Sequence, residues 1–144
     1  MKKKLPFLKR KAREIALQVL YQKELAQESL EDVWKDFCEH YHPLPEAQEY
    51  AWKLVQGVVE NQIGIDLIIE RYSPGWRIER MSVIDRNILR LAVYEMLYID
   101  DVPPKVSINE AIELAKGFGS KTSASFVNGI LDAVYHHEIM KTEG

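Results

Sequence analysis

The sequence predicts an all-α fold, a compact single-domain helical bundle of six to eight helices. Three observations carry that prediction. Every long apolar pattern recurs at helical spacing, and no stretch alternates cleanly enough to form a strand. Hydrophobic residues make up 47% of 144 residues, ample for one core. Gly and Pro number only 13 together, too few for a disordered or low-complexity chain. No repeat or linker divides the sequence, so residues 1–144 read as one domain, with 1–8 a flexible basic tail.

The first helix is expected from Lys9 to Ala26, because Ala12, Ile15, Ala16, Val19 and Leu20 share one face. Ser29 is a good N-cap for a short second helix with Val33, Trp34, Phe37 and Tyr41 as its apolar stripe. His42-Pro43-Leu44-Pro45 ends it, and Pro45 suits the first turn of the next helix. That helix, from Glu46 to Asn61, places Tyr50, Ala51, Leu54, Val55 and Val58 inward. Its pattern continues through Ile65, Leu67, Ile68 and Ile69 to Tyr72, with a bend at Gly64. Ser73-Pro74-Gly75 is a stop.

From Ser82 to Ile99 the sequence is apolar nearly all round, which belongs at the centre of a bundle. Asp100 to Pro104 reads as a turn. Ser107 and Glu110 then match a capping box, with Ile108, Ala111, Ile112 and Ala115 facing inward. Gly117 and Gly119 end that helix. Ser123 opens the last one, which buries Phe126, Val127, Ile130, Leu131 and Val134.

No apolar run approaches the roughly 18–20 residues of a membrane-spanning helix, and cations interrupt any signal-like start, so a soluble chain is expected. A single cysteine, Cys38, excludes an internal disulfide and fits a reducing compartment, most simply the cytoplasm. The net charge of −3 is unevenly spread. Residues 1–13 hold seven cations and no acid, whereas the other 131 residues hold 12 basic and 22 acidic side chains, net −10. Such polarity fits an anionic partner at one end (RNA, DNA or a membrane surface) and equally a solvated terminus.

Catalytic patterns are scarce. The sequence has no glycine-rich phosphate loop, no nucleophile elbow and no Cys-x-x-Cys. His40 and His42 beside Cys38 and Glu39 do not face one way on a helix, and His136 and His137 point apart, so no metal site is expected. No enzymatic activity and no cofactor are expected.

The basic stretch is more informative. Lys9, Arg10 and Arg13 fall within roughly a 100° arc of the first helix, while Lys11 points elsewhere. Cations fixed on a packed helix can hold phosphates in register, and base recognition needs aromatic or hydrogen-bonding side chains nearby. Gln18 and Tyr21 lie one and two turns further on and are candidates, although a tyrosine there also suits a half-buried core position.

Four stretches together resemble a known family. They are Lys9-Arg10-Lys11-Ala12-Arg13-Glu14 running into Ala16-Leu17-Gln18-Val19-Leu20-Tyr21, and Asp85-Arg86-Asn87-Ile88-Leu89-Arg90-Leu91-Ala92-Val93-Tyr94-Glu95. Val102-Pro103 leading to Asn109-Glu110-Ala111-Ile112-Glu113-Leu114-Ala115-Lys116, and Phe126-Val127-Asn128-Gly129-Ile130-Leu131-Asp132, complete the set. In this order, across nearly the whole chain, they resemble the NusB family of bacterial transcription antitermination factors.

The resemblance implies an all-helical, non-enzymatic protein. It implies pairing with NusE, a small ribosomal-subunit protein, and binding of the boxA element of nascent RNA within an RNA polymerase antitermination complex. Lys9, Arg10, Lys11 and Arg13 stand at the family's RNA-contacting positions, with lysine where arginine is common; lysine keeps the charge and loses the planar fork. Lys121, Phe126 and Asn128 are further RNA candidates, Phe126 with a core-packing alternative and Asn128-Gly129 with close helix packing as one. Tyr72 and Asp85 are carried over as NusE contacts, and Asp85 also completes a variant capping box with Ser82. Family resemblance also admits a targeting module for a ribosomal RNA modification enzyme, and a self-associated homodimer.

Overall fold

The computed structural model describes residues 4–140. Among them are seven α-helices and no strand. They are α1 (Lys4–Ala26), α2 (Leu30–Tyr41), α3 (Pro45–Glu60), α4 (Gln62–Arg71), α5 (Val83–Tyr98), α6 (Pro104–Phe118) and α7 (Ser123–Val134). A 3-10 turn at Ile78–Arg80 precedes α5, and a π-helical turn at Tyr135–Ile139 follows α7.

Helix α5 is the axis. It packs against α1, α3, α4, α6 and α7, and every residue from Asn87 to Met96 is buried. A helix apolar on all sides has no stable solvent face, so other helices must surround it. The five residues expected on the inner face of α1 are buried, joined by Leu17. On α3, Gly57 lets α5 approach closely. A Cβ there would lie 2.0 Å from Cζ of Tyr94, a buried ring stacked on Tyr98.

Several boundaries differ from the sequence expectation. Helix α1 starts at Lys4, not Lys9, so most of the expected tail is helical; Lys2 and Lys3 lie outside the described residues. Pro6 sits in its first turn, where the missing N–H costs no hydrogen bond. The chain breaks between α3 and α4 at Asn61, whose side chain donates to the Gly57 carbonyl at 2.8 Å. Gly64 therefore lies inside α4 and marks no bend. Ser29 and Ser82 cap α2 and α5 as expected, accepting from the backbone N–H groups of Asp32 and Asp85.

Ser107 is no cap. Helix α6 starts three residues earlier at Pro104, and the Ser107 hydroxyl turns inward to Glu95 at 2.7 Å. Ser123 opens α7 as expected, with Thr122 at its N-cap. Tyr41 is exposed, leaving Val33 and Phe37 to anchor α2. A Cβ at Gly129 would meet nothing within 4 Å, so close helix packing does not explain that glycine.

Candidate nucleic-acid interface

The four cations of α1 do not share one environment. Arg13 projects from the inner face and is buried, with its side chain 7% exposed and that of Glu95 only 3%. Its Nε lies 3.1 and 3.0 Å from the two carboxylate oxygens of Glu95. Glu95 also accepts from the hydroxyls of Tyr50 on α3 and Ser107 on α6. One carboxylate on the central helix thus ties three surrounding helices. Burial, followed by the Glu95 carboxylate, pushes the Tyr50 phenol well above its ordinary range and keeps it a donor. The expectation that Arg13 belongs to a surface cationic stripe is corrected: its guanidinium is committed to the interior. Its position borders the apolar stripe closely enough that packing claims it.

Lys9, Arg10 and Lys11 remain at the surface. Arg10 is 57% exposed and forks onto Glu110 of α6, with Nε to Oε1 at 3.0 Å and Nη2 to Oε2 at 2.8 Å. Lys9 Nζ lies 3.4 Å from Asp101 and 5.2 Å from the centre of the Tyr50 ring. Lys11 pairs with Glu14 at 3.6 Å. Each cation therefore already faces a carboxylate, and a phosphate must compete with or share it.

The Arg10 hydrogen bond holds the Glu110 carboxyl below its ordinary value of 4.5 against a smaller opposing effect of burial. Burial raises Glu24, yet hydrogen bonds and charges from Arg86 and Arg90 together bring it below the same value. Both groups bind protons more readily when the chain is unfolded, so their contribution is complete above about pH 4.5 and fades as pH falls through the lowered folded values. Urea midpoints measured across this acid limb are expected to drop, and Glu24→Gln should flatten the slope. The Glu110 share is smaller, because the exposed Arg10 is screened by solvent.

The remaining candidates spread over two regions. Gln18 is half-buried and Tyr21 is exposed, so Tyr21 lies at the surface instead of in the core. Lys121 and Asn128 are exposed at the start of α7 and along it. Phe126 is half-buried and packs edge-on against Trp76, with ring centres 5.9 Å apart. Tyr72 ends α4 and stacks on His137 at 5.5 Å. The backbone N–H of Asp85 donates to Ser82 Oγ at 3.1 Å, the cap half of the expected box. Asp85 Oδ1 is buried and accepts no hydrogen bond among the described residues.

Residues 10–136 match the family model described as the NusB family. The chain belongs to the NusB family. Among NusB relatives, the transcription antitermination protein NusB of Myxococcus xanthus is 50% identical over 130 residues, covering 88% of this chain and 93% of that one. The T. maritima NusB structure superposes with a TM-score of 0.85 at 39% identity, covering 94% of this chain and 95% of that chain. A chain from a crystal structure of antitermination factors NusB and NusE in complex with dsRNA gives 0.82 at 32% identity, covering 90% and 96%.

Within this NusB fold, sequence reasoning missed the partners that immobilise α1. Glu95 and Arg90 both sit in the stretch where α5 is apolar all round. A charge with no polar face to occupy must be paired inside, and that signal was available.

Proposed function

We propose that this chain is a non-enzymatic antitermination factor that acts in the cytoplasm on nascent transcripts. Paired with a NusE partner, it binds boxA-like single-stranded RNA through the start of α1. The observation that carries the reading is the surface trio Lys9, Arg10 and Lys11. A helix locked to the core by the neighbouring Arg13–Glu95 pair presents all three. Family membership and a neighbour crystallised with NusE and dsRNA support it.

Three cations, each sharing its charge with a carboxylate, give the isolated chain weak and salt-sensitive RNA binding. A protein partner that extends the surface supplies the missing contacts. On this reading Lys121, Phe126 and Asn128 flank the RNA, while Tyr72 and Asp85 face NusE. The unpartnered Asp85 Oδ1 supports a role for that carboxylate beyond capping α5.

RNA titration in matched salt tests this. Affinity is expected to rise sharply when NusE is present, and equal affinity with and without it contradicts the proposal. Changing Lys9 and Arg10 to alanine should weaken RNA binding and reduce the salt slope by about 0.7 log units per lost phosphate contact. NusE affinity should survive that change and fall with Asp85→Lys. Parallel titrations with duplex RNA separate single-strand from double-strand preference, and sedimentation of the free chain reports any homodimer.

A further inference from the structure

We propose that the groove between the start of α1 and the α5–α6 turn seats one unstacked base of the bound RNA strand, with Phe7 as its stacking platform. This rests on the RNA-binding reading above and adds a site for a base to a surface so far assigned only to phosphates.

The groove has a volume of about 470 Å³ and is lined by Leu5, Phe7, Pro103 and Val106, with the Lys9–Asp101 and Arg10–Glu110 ion pairs alongside them. Leu5, Phe7 and Val106 are 56%, 53% and 43% exposed. Single exposed apolar residues are ordinary, but three converging on one concavity mark a surface that another molecule covers. What fits it is apolar in its body, with an anionic group that can share the cations of those two pairs. Lys11 Nζ stands 5.8 Å from the centre of the Phe7 ring. Arg10 binds Glu110 through Nε and Nη2, which leaves its Nη1 donors for a phosphate oxygen.

A nucleotide meets both requirements, its base on the ring and its phosphodiester on the cations. Stacking on an aromatic side chain beside a basic groove is how single strands are held without duplex geometry. Phe7 is part of α1, one residue after Pro6, whose fixed φ favours the helix start.

The test uses the chain with its NusE partner and a boxA-type single-stranded RNA in which each base in turn is replaced by an abasic sugar. One position is expected to lose about tenfold in affinity on base removal. With Phe7→Ala that position should lose less than about twofold, and Phe7→Trp should restore the sensitivity. Arg10→Ala is the companion measurement, lowering affinity and salt slope at every position alike. If Arg10→Ala acts as stated while Phe7→Ala keeps the same sensitive position, the base seat is overturned and the phosphate surface stands. Failure to bind RNA at all, with NusE present, overturns both. If Phe7→Ala instead shifts the sedimentation of the free chain and leaves the abasic profile unchanged, a second copy covers the groove and the base seat is wrong.

Discussion

Glu95→Ala is expected to lower folding stability by about 3–5 kcal/mol, the range seen when one member of a buried ion pair is removed. The loss comes from what stays behind. The Arg13 guanidinium keeps its charge in the interior with only Glu110, 3.4 Å from its Nη1, left to pair it, and the hydroxyls of Tyr50 and Ser107 lose their acceptor. Domains of this size have only about 5–15 kcal/mol in total, so the variant should sit near the edge of folding. Urea denaturation reads the effect as a lower midpoint at unchanged slope. Glu95→Gln keeps the shape and one acceptor oxygen and should cost less. A double change of Arg13 to Met with Glu95 to Leu should recover part of the loss, because the incompletely paired interior charge is then gone as well. A variant as stable as the parent would show that the pair is not what holds α1 to α5. The same argument makes Arg13 a poor probe of RNA binding: its replacement alters the scaffold before it alters any phosphate contact.

Arg90→Ala is expected to cost about 3 kcal/mol, also measured by urea midpoint. Arg90 on α5 binds Asp66 of α4 through Nε at 2.8 Å and Nη2 at 3.0 Å, and reaches Glu24 of α1 and Asn87 through Nη1 at 3.0 and 3.1 Å. Arg86 shares Glu24. Removing Arg90 leaves Asp66 without a cation among the described residues, while Glu24 retains Arg86. Asp66 and Glu24 are partly open to water, which holds the cost at the lower end of the range. Arg90→Lys preserves the charge but cannot fork onto two carboxylates, so it should fall between parent and alanine. Equal stability of the lysine variant and the parent would mean that charge alone, without the planar geometry, joins α1, α4 and α5.

Hydrophobic periodicity made the number and order of helices legible, because burial of a stripe is a local property of spacing. Boundaries were less legible where one side chain has two uses. Ser107 followed by Glu110 matches a capping box, yet Glu95 across the bundle is a stronger partner for that hydroxyl than a backbone N–H. Pro104 could open α6 because a first turn needs no N–H from it, which moved the start forward. At the site, Lys9, Arg10 and Lys11 were legible as surface cations. Arg13 was not distinguishable from them, since its fate depends on an acid 82 positions away. The carboxylates facing the cations, Asp101 and Glu110, were unreadable because, unlike Glu95 and Arg90, they lie where a polar side chain is ordinary, so nothing in local spacing marks them as paired.

The encasement of α5 by five other helices has a consequence for how the molecule breathes. Peptide protons between residues 87 and 96 can reach solvent deuterium only when the surrounding helices separate, so their protection reports the global opening free energy. Peripheral segments such as α2, held mainly by α1, can open alone on a shorter timescale.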